Sequence, residues 1–201
     1  MAMRIEIRGN ADLRKAMRRF TPDLEKALKK ELGKALKPVV AEAKGFVPAV
    51  SPMRGWAGRA FSEGRFPTYN AATIKAGITY KTTPSKINSN GFSSMARIQN
   101  ASRVGAIYES AGRAGLDGQP WVGSKAGGNS NRVSKSNNPQ AGKQFIANLP
   151  PLVSSLKGRG RLIYRAWANS QGKAESAAMK AIDRATTQFR ANVSKETRKA
   201  A

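Results

Sequence analysis

Apolar positions along the chain repeat with two periods and change over at a few punctuating residues. Met3, Ile5 and Ile7 alternate with Arg4, Glu6 and Arg8, a period of two that predicts a short half-buried strand. Asn10 then offers an N-cap for a helix opening at Ala11. Thr21-Pro22-Asp23 restarts that helix: a hydroxyl cap, a proline suited to the first helical position, and a carboxylate at the positive end of the dipole. Leu24, Leu28, Leu32, Leu36 and Val40 recur every four residues, joined by Val39, Ala43 and Val47, with charged residues on the other face. A helix from Pro22 to Val47 is ~39 Å long. Pro38 is expected to kink it or end it a turn early, and Pro48 to stop it.

Residues 49–70 have no period and read as a loop anchored by Trp56, Phe61, Phe66 and Tyr69. Alternation returns at 72–82, with Ile74, Ala76, Ile78 and Tyr80 on one face, and a second strand is predicted at 93–101. Asn90-Gly91 between them signals a turn, so the pair is expected to form an antiparallel hairpin, basic at its tip. Gly105–Gly112, GAIYESAG, follows as a short helix or turn. Residues 123–142 form a Gly/Ser/Asn-rich loop insertion, and Phe145, Ile146 and Leu149 a short apolar helix ending at Pro150-Pro151. Leu162, Tyr164 and Ala166 alternate, predicting a strand that runs into a last helix over 169–195. Ala178, Ile182, Ala185, Phe189 and Val193 mark its apolar face, and 195–201 is expected to fray. These elements define an α+β fold in a single domain, 1–201: long N-terminal and C-terminal helices packed on a small antiparallel sheet with an extended basic hairpin.

Charge adds a partner class. The chain carries 36 Lys+Arg against 12 Asp+Glu, a formal charge of +24. Residues 49–160 hold 15 basic and 3 acidic residues, so +12 of the excess lies in the strand-and-loop middle. Such a balance favours polyanions, nucleic acid first and an anionic membrane surface second. The cations are dispersed, which suits sequence-blind contact with phosphates better than base readout. Lys75, Lys81, Lys86, Arg97 and Arg103, with no acid between Glu63 and Glu109, are the candidate DNA-facing residues.

Catalytic chemistry finds little support. The chain has no Cys and no His, which removes thiolate metal sites, a thiol nucleophile and the usual neutral-pH base. Glu109 in GAIYESAG lacks a spaced acidic partner. The expectation is that Ile107 and Tyr108 pack while Glu109 pairs with an arginine. No enzymatic activity, metal or cofactor is expected. The first residues lack the apolar core of a signal peptide, and no run approaches the ~18 apolar residues of a membrane span.

Taken in order, several phrases resemble one family. A short MRIEIRG strand leads into LRKAMRRFTPDLEKALKKELGKALKPVVAEAKGFVP. A basic hairpin, GAIYESAG, KQFIANL and GRGRLIYRAWANSQGKAESAAMKAIDRA follow. This pattern resembles the neck or tail-completion (minor tail, head-to-tail connector) family of long-tailed bacteriophages, in the versions carried by phages of actinobacteria. It covers most of the chain and departs from the family pattern at 123–142. The resemblance implies a non-enzymatic structural protein of the virion neck or tail, assembled in the host cytoplasm. It implies a homo-oligomeric ring, expected to be hexameric, at the capsid–tail junction. Neighbouring adaptor or stopper, tail terminator or tail tube proteins would be its partners, along with non-specific contact to packaged double-stranded DNA. GAIYESAG would correspond to the family's Tyr–Gly segment in the structured core. Leu24, Leu28, Leu32, Leu36, Ile107, Tyr108, Tyr164, Trp167, Ile182 and Phe189 are the expected packing and interface positions. The alternative is a sequence-independent nucleic-acid-binding protein, nucleoid- or ribosome-associated.

Overall fold

The computed structural model of the chain describes residues 3–10, 22–53, 55–57, 67–113, 140–155 and 158–200. In chain order these form β1 (Met3–Asn10), α1 (Pro22–Gly45), α2 (Ala71–Gly77), β2 (Ile78–Lys81), β3 (Phe92–Asn100), α3 (Arg103–Ser110), α4 (Ala141–Ala147), β4 (Val153–Ser155), β5 (Gly158–Gly160) and α5 (Ile163–Ala200). The fold is α+β, as the two periods predict. Phe61, Phe66 and most of the 123–142 insertion lie outside the described residues, although the insertion's last two positions already begin α4.

Three strands make one antiparallel sheet in the order β1-β3-β2. Ile5 faces Ile98 and Ile7 faces Ala96 across β1 and β3, with a bulge after Ile7, while Tyr80 faces Ile98 across β2 and β3. Ala96, Ile98 and Asn100 turn into the core; Met95, Arg97 and Gln99, on alternate positions, are half-buried on the other face. This is the one-face burial that alternation encodes.

The leucine stripe does what its spacing requires. Leu28, Leu32, Leu36, Val39 and Ala43 are buried against α5 and the sheet. The two helices run antiparallel. Glu42 accepts from Asn169 Nδ2 at 2.7 Å and from Ser170 Oγ at 2.6 Å, and Glu31 lies 3.8 Å from Arg184. α1 continues through Pro38 to Gly45 and is not ended by it. The ring of Tyr80 lies 3.1 Å from the position a Cβ would take on Gly33, so β2 packs tightly on this helix at a residue with no side chain.

Two strand expectations are corrected. Residues 71–77 are helical, because the Asn70 side chain accepts from Thr73 N at 2.8 Å and caps a turn that local alternation resembles a strand in hiding. Ile74 is buried from that helix, and only residues 78–81 pair with β3. Likewise Leu162, Tyr164 and Ala166 do not share a strand face: α5 begins at Ile163, six residues before the predicted start. It also runs to Ala200, past the point where fraying is expected.

A second core focus gathers aromatic rings. Trp56 is fully buried, with ring centroids 5.2 Å from Tyr69, 5.0 Å from Phe145 and 6.4 Å from Tyr108. Its Nε1 donates to Pro67 O at 2.9 Å, and Tyr69 OH donates to Pro48 O at 2.5 Å. Burial, reinforced by the nearby Tyr108, pushes the Tyr69 phenol up to about 12 from its ordinary 10.0. A raised folded-state value contributes stability that is fully present below the unfolded value and lost as pH rises through the folded one. The fold is therefore expected to lose stability between pH 10 and about 12. The check is alkaline titration followed by phenolate absorbance and circular dichroism, with Tyr69→Phe identifying the signal. Ionisation of Tyr69 near 10 in an intact fold would contradict it.

Candidate functional site

GAIYESAG supplies most of α3. Ser102 caps it, accepting from Gly105 N at 3.0 Å, and Asn100 Oδ1 in turn accepts from Ser102 N and Oγ at 3.1 and 2.8 Å. A Cβ on Gly105 would lie 2.2 Å from Asn100 Nδ2, so the small residue is needed for the helix to close on the end of β3. Tyr108 points into the aromatic cluster, where burial pushes its phenol up against the opposing charges of Arg161 and Arg165.

Glu109 is fully buried. It does not take an arginine as its partner, which corrects the expectation. Its Oε2 accepts from Leu162 N at 2.6 Å and Ile163 N at 3.2 Å, and Oε1 from Tyr164 N at 3.0 Å. These are the orphan donors of the first turn of α5, where a carboxylate also meets the positive end of the helix dipole. Burial pushes the carboxyl above its ordinary value, against the pull of the three N–H groups and of Arg113.

Arg161 returns the favour from the other side. It is buried; Nη1 donates to Tyr108 O at 3.0 Å and Ala111 O at 2.8 Å, and Nε donates to Pro150 O. The first two acceptors are carbonyls at the C-terminal end of α3, the complementary orphans. So α3 caps α5 through Glu109, and Arg161, two residues ahead of α5, caps α3. In this exchange both carboxylate oxygens are engaged and Glu109 has no exposed surface, so the pair ties α3 to the start of α5.

The predicted DNA-facing set is only partly brought together. Lys81 and Arg97 are direct cross-strand partners on β2 and β3. Arg97 is half-buried and occupied: Nη1 donates to Thr83 O at 3.1 Å and Nε to Gln99 Oε1 at 3.3 Å, and Glu6 stands opposite it in register on β1. Lys86 is exposed at the hairpin tip, while Lys75 and Arg103, both exposed, belong to α2 and α3 at the opposite end of the sheet. The nine residues of β3 that separate tip from base span ~30 Å.

The tip itself is ordered by Asn88, whose side chain accepts from Asn90 N at 3.1 Å and Phe92 N at 2.8 Å, with Gly91 at φ 75°. The Asn90-Gly91 turn is therefore where the dipeptide predicts it. Ile87 and Phe92 beside it are 55% and 45% exposed. Of the expected packing positions, Leu28, Leu32, Leu36, Tyr108, Tyr164 and Trp167 are buried, and Ile107 and Ile182 are partly buried against the core. The side chains of Leu24 and Phe189 lie outside the described residues.

No group of three metal-ligating side chains occurs among the described residues, and none of their helices is long and apolar enough to cross a membrane. A scan against protein-family models, a search of curated proteins and a search of solved structures each return no match. What sequence reading passes over is the capping role of Glu109 and Arg161, which lie 52 residues apart and share no local signal, and the arrangement of the lysines on α1.

Proposed function

We propose that the chain is a structural virion protein, one subunit of an oligomeric ring at the capsid–tail junction of a long-tailed bacteriophage. The observation that carries this reading is the order of elements: short strand, long helix, basic hairpin, GAIYESAG helix and long C-terminal helix, arranged as α+β. That is the architecture the family resemblance implies. The exposed Ile87 and Phe92 at the tip of the hairpin support it further, since a neighbouring subunit would cover them. In a cyclic assembly one patch of each subunit docks on a different patch of the next, and an exposed apolar tip suits that geometry. A lumen lined by cations with no base specificity suits the passage of duplex DNA. Adaptor or stopper, tail terminator or tail tube proteins would be the axial neighbours. Electron microscopy of the purified protein is expected to resolve closed rings; separate monomers spread along DNA would instead favour a sequence-independent nucleic-acid-binding protein, the reading that the +24 charge by itself supports.

A further inference from the structure

We propose that the exposed face of α1 is a docking ridge for the phosphate backbone of double-stranded DNA, distinct from the hairpin. Lys26, Lys30, Lys34, Lys37 and Lys44 are spaced by four, four, three and seven residues. At about 100° per residue all five fall within an arc of about 80°. The first four are exposed and Lys44 is half-exposed. From Lys26 to Lys44 the ridge runs ~27 Å along one continuous helix.

Asp23, in the first turn, falls within this arc by its position near Lys26; from Lys30 to Lys44 the arrangement of the rest of α1 keeps the arc clear of carboxylates. Leu28, Leu32, Leu36, Val39 and Ala43 occupy the buried face. Glu25 is buried and pairs with Lys29 at 3.3 Å. Glu31 and Glu42 lie on the flank toward α5, where Arg184 and the Asn169–Ser170 pair engage them; Glu31 also holds Lys34, at 2.7 Å, at one margin of the ridge. Gly33, about 20° beyond the other margin, is where Tyr80 brings β2 against the helix. The ridge thus lies beside the hairpin base.

Charge complementarity names the occupant. A duplex presents one negative charge per ~1.7 Å of its axis, dense enough to face every lysine of the ridge. Lysine is a point-charge donor without the fork that reads base edges, so contact is sequence-blind. A single strand would call for exposed aromatic rings, and a lipid surface for an exposed apolar stripe. The arc carries neither, because the apolar stripe of α1 is spent on the core.

The inference does not depend on ring formation, and one titration tests it. A labelled random-sequence duplex is titrated with the full chain across ~50 to ~200 mM salt, with sedimentation run in the same buffers to record the assembly state separately. Each phosphate contact contributes about −0.9 to the slope of log affinity against log salt. Combining Lys30→Gln, Lys34→Gln, Lys37→Gln and Lys44→Gln is expected to shrink that slope by about 3 to 4 and to weaken binding at ~0.1 M salt by about 10²- to 10³-fold. Replacing Lys143, Lys173, Lys180 and Arg190, four exposed cations elsewhere, by Gln is expected to change the slope by less than about one contact's worth. Should the ridge set fail to fold, Lys30→Gln and Lys37→Gln taken singly are each expected to lower the slope by about 0.9. Absence of duplex binding by the unaltered chain, an unchanged slope in the ridge variants, or equal losses from both sets would overturn the proposal. Equal losses would mean that total charge alone drives binding.

Discussion

Replacing Glu109 by alanine is expected to destabilise the fold by about 3–5 kcal/mol, among the largest effects available to a single substitution. The loss has two parts. Three charge-assisted hydrogen bonds to the first turn of α5 disappear. The N–H groups of Leu162, Ile163 and Tyr164 are then left in a space that admits no ready replacement, because Gly160, Tyr164 and α3 close on it. A Cβ on Gly160 would already lie 2.2 Å from Glu109 Oε1. Each buried donor left unsatisfied costs about 1–3 kcal/mol, with partial relief if water enters. Glu109→Gln keeps one acceptor oxygen and most of the shape, so it is expected to lose roughly half as much. Urea unfolding measures both; for a chain of this size the alanine variant should also melt about 6–20 °C lower. Losses below about 1 kcal/mol for Glu109→Ala would show that the capping exchange matters little to the fold.

Trp56→Ala is the second large effect, at about 3–5 kcal/mol. Trp56 is the piece that ties four segments together: the loop around residues 53–57, the Pro67–Tyr69 strand of chain, α3 through Tyr108, and α4 through Phe145. Truncation opens a cavity among three aromatic rings and orphans the Pro67 carbonyl. The effect should be local as well as global. With the Trp56 contact of Phe145 gone, α4 is expected to open more often, and tryptic cleavage at Lys143 to quicken well beyond the change in overall stability. Trp56→Phe, which keeps a ring in place, should recover much of the protection. Unchanged cleavage at Lys143 in Trp56→Ala would mean that α4 is held by other contacts.

How much of this was legible in the residues depends on the distance over which each cause acts. The leucine stripe of α1 and the alternation in β3 are local periodicities, and they predict the faces that are buried. The Asn90-Gly91 turn follows from backbone preferences of two adjacent residues. The misreadings share a different origin. Ile74, Ala76, Ile78 and Tyr80 alternate, yet the Asn70 side chain captures Thr73 N and turns the first half of the segment into a helix. Leu162 and Tyr164 also alternate, but their backbone N–H groups are claimed by a carboxylate more than 50 residues away, which starts α5 where no local cap stands. The excess of arginines makes a salt bridge the natural expectation for Glu109, whereas its partners are three backbone N–H groups of a distant helix start. The lysine ridge was visible in the spacing of α1 but reads as an ordinary solvated face until Glu31 and Glu42 are seen to turn toward α5.

The measurement that bears most directly on the ring is the absolute mass of the purified full chain in solution, at low and high salt, with and without duplex DNA. A discrete closed oligomer is expected, whose mass is a fixed multiple of 21.6 kDa and persists when salt is raised. A monomer or dimer that assembles only along DNA, and leaves it steeply as salt rises, would contradict the ring while leaving the α1 ridge in place.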